Sequence, residues 1–598
     1  MFGGEDQRSL LLFVNQNTSL SDLLMTRVIT SRNIQLLTCV CAVLAIVVFF
    51  KSFWVTEDAF IGYRVLEQFR IGNGPVWNAG IRVQIYSCIG WFYLLVIAGF
   101  FIHNIFMSLV VVNTAVFAFF LFTAKKVFGV TVEFCLFILF LLMSNSFYDY
   151  TSSGLDNILG FAFILYLYYR YKAQLGFVKE TLPKKEFYTI TFLTSMIVFA
   201  RPDLILFSVP PFLYVVYKYL PKISLLFKAG LLAALPVVAW LLFSIVYYGK
   251  PLPNTAYLKI FNGIPEDIVL ASGINYLLQH TVFDPYMLAT IGLGFIGGLF
   301  FLEPWKKAFA VGMMAYFCYV ISIGGEYMLG RFLSYPFLVA ALLLTEIFRK
   351  FSLSENKIKN RLKFLIPIFV VFGLTTTENP ITRPWTYGRH LPWSVTQDAD
   401  IQAMGVVNMR KAYYSTSSAA WFYNEARTAT ANQDSDVRFG VDLKKSGDKV
   451  AVIGATGATG YYAGTEIVLL DYFGLTDPFV AMLPSVRMNF TSHFEKELPE
   501  GYFESFLDEK NTLKDQKLDE YYRHIKLITT SKDLFTLERF KAIYKLNTGQ
   551  YDYLLEDYRK DIERKRNFKI HTYKVWGADI EKIIFEKLGL IPSIEAVN

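Results

Sequence analysis

QIYSCIGWFYLLVIAGFFI, residues 84–102, decides how this chain is threaded. The stretch is apolar enough to cross a bilayer, which takes roughly 20 such residues. Eleven other apolar runs accompany it, at about 34–53, 104–123, 128–145, 157–170, 187–200, 203–218, 224–247, 286–302, 308–323, 331–348 and 363–376. The loops at 170–185, 217–222, 304–307 and 349–363 are basic, as is Lys125-Lys126, and basic loops belong in the cytoplasm. All five fall on one side only if 84–102 lies along the outer interface, where Tyr86, Trp91 and Tyr93 suit the headgroup level. This arithmetic predicts a polytopic α-helical membrane protein with about 11 transmembrane helices, its N-terminus inside and its C-terminus outside.

Composition agrees. Of 598 residues, 54% are hydrophobic and 18% charged, with 56 Phe and 37 Tyr. Soluble chains carry about a quarter charged residues. The net charge of +8 comes largely from the short loops, so it does not imply nucleic acid. Cys39, Cys41, Cys88, Cys135 and Cys318 lie in apolar runs and read as small buried hydrophobes. The first run starts near Asn33, too far in and too long for a cleaved signal peptide, and reads as a retained anchor. The histidines (103, 280, 390, 493, 524, 571) have no ligand spacing, so zinc is not expected. The outer-loop acids leave room for a divalent cation; no other cofactor is indicated.

The outer loops carry the chemistry. WVTEDAFIGYR (54–64) opens the first and places Glu57 and Asp58 at the bilayer surface. Asp149 and Asp156 fall in or beside loop 146–156, and Arg201 and Asp203 in RPD (201–203). Lys250 and Lys259 follow in loop 248–285, Glu326 and Arg331 in GGEYMLGR (324–331). Charges at the edge of a span are costly and are functional candidates. Converging on one face, they would form a polar cavity in which cations hold a lipid phosphate and acids take hydroxyl protons. Plainer readings exist for each group. Glu57 and Asp58 suit a first helical turn behind Thr56, and Asp156 suits an N-cap. Arg201 can pair with Asp203, and Arg331 can anchor a span at the interface.

Residues 1–376 thus form the transmembrane part. Past 377 the apolar runs shorten and charge rises, predicting a soluble α/β domain, 377–598, outside the cytoplasm. DKVAVIGATGATGYYAG (448–464) followed by TEIVLLDYFGLTD (465–477) reads as strand, glycine turn, helix start, strand. The glycines Gly454, Gly457 and Gly460 are spaced G-x-x-G-x-x-G rather than G-x-G-x-x-G, and Asp471 follows too early for a dinucleotide site. Close packing explains these glycines better.

TEDAFIGYR, GNGPVWNAGIRVQIYS, SSGLDN, ARPD, YYGKPLPNTAYLK, GGEYMLGRF and GATGYYAG with DYFGLTDP occur in this order. In that order they resemble the motifs of polytopic GT-C-type glycosyltransferases similar to mycobacterial terminal arabinofuranosyltransferases and pilin arabinosyltransferases. More distantly the chain resembles lipid A aminoarabinose transferases. The group's first motif reads D-D-A-[YF]-I-S-x-R; here Glu57 replaces the first acid, Asp58 keeps the second, and Gly62 replaces a small polar residue. RVQIYSC (82–88) departs from the group's RVEGYTN, losing an acid and a glycine.

The resemblance implies a bacterial cytoplasmic (inner) membrane enzyme whose active site and C-terminal domain face the periplasm. It implies transfer of D-arabinofuranose from a polyprenyl-phosphate donor. A phosphate leaving group needs no general acid, so Asp58 is expected as the base for the acceptor hydroxyl, with Glu57 orienting the acceptor or the base. Arg201 and Arg331, with Lys250 and Lys259, are the expected phosphate ligands. Asp156, Asp149, Asp203 and Glu326 are the expected substrate contacts. The chain is rich in Phe, Ile, Lys and Asn, unlike arabinan-modifying relatives, which points to type IV pilin Ser/Thr hydroxyls as acceptor. Alternatives are another sugar (mannose, aminoarabinose), a cell-surface glycan acceptor or, in a different class, a lipid-linked sugar flippase or transporter.

Overall fold

The computed structural model describes residues 20–176, 181–375, 379–383, 406–411, 413, 435–490 and 493–566. His390 and His571 lie outside them. The amino-terminal part is all helix: α1 (Leu20–Ser52), α2 (Glu57–Arg70), α3 (Ile89–Phe101), α4 (Ile105–Phe128), α5 (Val132–Leu142), α6 (Asn145–Thr151), α7 (Asn157–Leu175), α8 (Lys184–Ala200) and α9 (Ile205–Tyr219). Then come α10 (Ile223–Tyr248), α11 (Asn254–Ile260), α12 (Glu266–Phe283), α13 (Pro285–Phe301), α14 (Pro304–Ser322), α15 (Ser334–Ser352), α16 (Lys357–Leu362) and α17 (Leu365–Phe372).

Each expected span carries a helix, but length and apolar character together qualify only three among the described residues: Arg32–Ser52, Ile105–Phe128 and Ile223–Tyr248. Two bent pairs raise this to five, Val132–Leu142 with Asn145–Thr151 at 90° and Glu266–Thr281 with Pro285–Phe301 at 107°. The others are short, like the 15-residue α9 with Pro210 and Pro211 inside it, or carry charge near an end, like α15 with Glu346, Arg349 and Lys350. The architecture is that of a polytopic helical protein. In 84–102 only α3 forms; its 13 residues reach about 20 Å, short of the roughly 30 Å hydrocarbon layer.

Small residues let the helices approach. A Cβ on Gly294 of α13 would stand 2.7 Å from the Ala340 Cα of α15, so these backbones meet in the close contact that small residues permit between membrane helices. Charge sorts the two ends of the bundle. Glu346, near the end of α15, takes Lys172 at 2.5 Å and Lys306 at 2.7 Å, joining two of the basic segments at one end. The starts of α7 and α15, next to Asp156 and Arg331, lie at the other.

The carboxy-terminal part comprises α18 (Ser435–Ser446), β1 (Val450–Ile453), α19 (Gly457–Tyr462), β2 (Val468–Asp471), β3 (Arg487–Phe490), β4 (His493–Glu495), α20 (Glu504–Leu507), α21 (Gln516–Thr530), α22 (Leu537–Asn547) and α23 (Glu556–Lys565). β1 and β2 pair in parallel, Val450 opposite Val468 and Ile453 opposite Asp471; β3 and β4 form an antiparallel pair. The strand–glycine turn–helix–strand reading of 448–477 therefore holds. Asn379, Arg383, Val407 and Arg410, just past 376, are buried against the helical part.

Candidate active site

α2 starts at Glu57, behind Thr56, whose extended backbone begins the helix without a side-chain cap. Glu57 and Asp58 thus sit in the first turn, where acids complement the helix dipole. That placement alone would explain them. The cavity they face does not follow from it.

A cavity of about 810 Å³ opens beside α2 and is lined by Glu57, Asp58, Asp156, Arg201, Asp203, Lys259, Glu326 and Arg331. Eight of the ten expected groups therefore meet on one space. Asp156 holds the N-cap position of α7 but caps nothing. Its carboxylate instead lies 3.8 Å from Arg331 and 3.9 Å from Arg201, and accepts from the Tyr335 hydroxyl at 3.4 Å. Arg201 is clasped by Asp203, its Nε 2.8 Å from Oδ1 and Nη2 2.8 Å from Oδ2. The Phe332 ring underlies three cations, with Arg201 at 4.4 Å, Lys259 at 5.8 Å and Arg331 at 5.8 Å.

Asp58 differs from the other acids. Its side chain is 27% exposed, against 4% for Asp156, 8% for Asp203 and 7% for Glu326. The Tyr327 hydroxyl donates to Oδ1 at 3.1 Å and Arg331 Nη1 to Oδ2 at 3.4 Å. A carboxylate has about four lone-pair sites, so Asp58 retains acceptor capacity toward the cavity. Burial raises its pKa above the usual carboxylate range, opposed by the charge of Arg331. Glu57 is raised well above that range, chiefly by burial and then by the neighbouring Asp58. Its Oε1 accepts the Ala458 N–H at 3.0 Å. Among the described residues, Arg331 Nε is buried without a partner, and the Lys259 ammonium stands over the Phe332 ring without a hydrogen bond or ion pair. Burial lowers the Lys259 pKa. Arg331 and Lys259 are the cations with donors to spare.

Asp149 and Lys250 stand apart from this cavity. Asp149 pairs with Arg383 at 2.6 Å and Arg410 at 3.4 Å, arginines from beyond 376 that sequence spacing could not connect to it. Lys250 donates to Pro478 O at 3.4 Å and Met482 Sδ at 3.2 Å, and burial lowers its pKa to about 7. No group of three His, Cys, Asp or Glu among the described residues is arranged to hold a metal ion. The cavity acids point at arginines, a tyrosine or a backbone amide rather than at a common centre, so they do not fit a divalent cation.

Several lining residues escaped the sequence reading. Tyr327 lies inside GGEYMLGR, where attention fell on the charged Glu326 and Arg331. His493 and Phe473 come from the carboxy-terminal part: the His493 ring meets Tyr327 edge-on with centroids 4.4 Å apart and Phe473 at 5.4 Å. No local signal marks them.

No family model matches the chain, and no solved structure matches it. Over 342 residues it is 25% identical to the terminal β-(1→2)-arabinofuranosyltransferase of Corynebacterium glutamicum, a match covering 47% of this chain and 46% of that relative. The chain thus spans about half the length of the curated relative it matches.

Proposed function

We propose that the chain is an integral-membrane glycosyltransferase that moves D-arabinofuranose from a polyprenyl phosphate to an acceptor hydroxyl outside the cytoplasm. One observation carries this reading. Asp58, more accessible than Asp156, Asp203 or Glu326, stands 3.4 Å from Arg331 in a space that Arg331, Lys259 and Arg201 also line. The likeness to an arabinofuranosyltransferase supports the class of reaction and the sugar.

The acceptor oxygen attacks the anomeric carbon, Asp58 takes its proton, and the carbon–oxygen bond to phosphate breaks. Polyprenyl phosphate leaves with the electron pair. Positioned base assistance of this kind is worth typically ~10²–10⁴-fold. Arg331 and Lys259 bind the phosphate as its charge develops, and Arg201, already held by Asp203, adds to the field. Asp156, Asp203 and Glu326 fix these cations and contact the sugar. In this reading the protein lies in a bacterial inner membrane with the cavity on the periplasmic side.

The acceptor reading, Ser or Thr of type IV pilin, rests on the composition of the chain. Membranes containing the protein are incubated with radiolabelled polyprenyl-phosphoarabinose. Label in a new glycosidic bond supports transfer; label that crosses the membrane without one means transport. Intact-mass spectrometry of pilin with and without the gene then tests the acceptor. A pentose-sized loss supports pilin; unchanged pilin beside an altered polysaccharide moves the acceptor to the surface glycan.

A further inference from the structure

The helix that carries Asp58 is gripped from the carboxy-terminal part of the chain. A Cβ on Gly457 would stand 2.0 Å from the Glu57 carbonyl oxygen and 2.4 Å from its Oε1, so only glycine lets α19 approach α2 this closely. Further along the same face of α2, the buried Arg64 donates to the carbonyls of Gly460 at 2.6 Å and Ile467 at 2.8 Å, and also to that of Gly464. Gln68 follows, donating to Thr465 O at 3.0 Å. Both side chains also donate to Trp77 O, Arg64 at 3.0 Å and Gln68 at 3.3 Å, so if the turn moved away they would keep that carbonyl and lose the bonds that tie α2 to 460–467.

Glu57 and Asp58 project about 100° apart on the helix. Whatever fixes Glu57 therefore fixes the heading of Asp58. A rotation of α2 by about 20° would carry a carboxylate roughly 5–6 Å from the axis by about 2 Å, outside hydrogen-bond reach of a hydroxyl it had been positioned to meet.

We propose that Glu57 is a positioning residue: seated on the Ala458 amide in the glycine turn of α19, it sets the rotation of α2 and so aims Asp58 into the cavity. The segment 454–471 is then part of the catalytic machinery. This rests on Asp58 being the base.

The test uses the full chain in nanodiscs and four variants. Glu57→Ala and Gly457→Ala should each lower kcat on the order of 10²-fold, the cost of a misplacement of about 1 Å, with KM for the polyprenyl-phosphate sugar and for the acceptor unchanged. Glu57→Gln keeps an oxygen that accepts from Ala458 and should recover most of that loss. Gly292→Ala, where an added Cβ meets nothing within 4 Å, is the control and should act as the parent. Amide exchange in 457–462 should speed up in Glu57→Ala and stay slow in Glu57→Gln. A raised acceptor KM with kcat unchanged would make Glu57 an acceptor contact and overturn the proposal. Glu57→Gln as inactive as Glu57→Ala would overturn it too, since the charge itself would then be needed. The exchange measurement reads the seat without activity: unchanged exchange in Glu57→Ala refutes it even if Asp58 proves not to be the base.

Discussion

Replacing Asp58 by Asn isolates the proton-accepting role from the structural one. The amide keeps an oxygen for the Tyr327 hydroxyl at 3.1 Å and gives up only the contact with Arg331, which at 3.4 Å is long. Arg331 keeps Asp156 at 3.8 Å and Glu326 at 3.9 Å as acidic partners, so losing one long contact to Asp58 should leave the variant able to insert and fold. Loss of a positioned base should cost ~10²–10⁴-fold in rate, equivalent to about 2.7–5.4 kcal/mol at 1.36 kcal/mol per decade. The assay is single-turnover transfer from radiolabelled polyprenyl-phosphoarabinose by purified protein in nanodiscs, with donor binding measured separately. Binding within about threefold of the parent and a rate down at least 10²-fold are expected. A variant that kept more than about a tenth of the parent rate would remove Asp58 as the base.

The pH dependence gives an independent reading. Only ionised Asp58 accepts a proton, and burial raises its pKa, so the rate should fall with acidification at a pH above the ordinary carboxylate range. Arg331 lowers that pKa, so Arg331→Gln should move the acid limb to higher pH while raising donor KM; an unmoved limb would uncouple the two residues. Arg383→Met should leave Asp149 as a poorly compensated buried charge and destabilise the protein by about 3–5 kcal/mol, read as a lower melting temperature in detergent; an unchanged melt would refute that balance. Sidedness is testable with reporters: one fused after residue 383 should be active outside the cytoplasm and one at Lys185 inside. The opposite pattern would turn the cavity to the cytoplasm and sink the donor reading.

The sequence by itself determined the class of the protein, because hydrophobic runs and basic loops are local signals that need no partner to be read. It located the helix-initiating acids at 57 and 58, the strand–glycine turn–strand pattern of 448–477, and the charged span edges that meet in the cavity. It also rejected a dinucleotide loop at Gly454–Gly460, and the glycines indeed serve close packing, against Tyr472, Glu57 and Trp77. Which charge meets which was decided only in three dimensions. Asp149 and Asp156 are seven residues apart and look alike in sequence. One is neutralised by arginines 234 and 261 positions away; the other faces the cavity cations. Nor could the sequence rank the acids, since accessibility depends on walls contributed by remote segments. Glu57 and Asp58 are neighbours in the chain, yet about 100° of helical rotation sends one to the amide of Ala458 and the other toward Arg331.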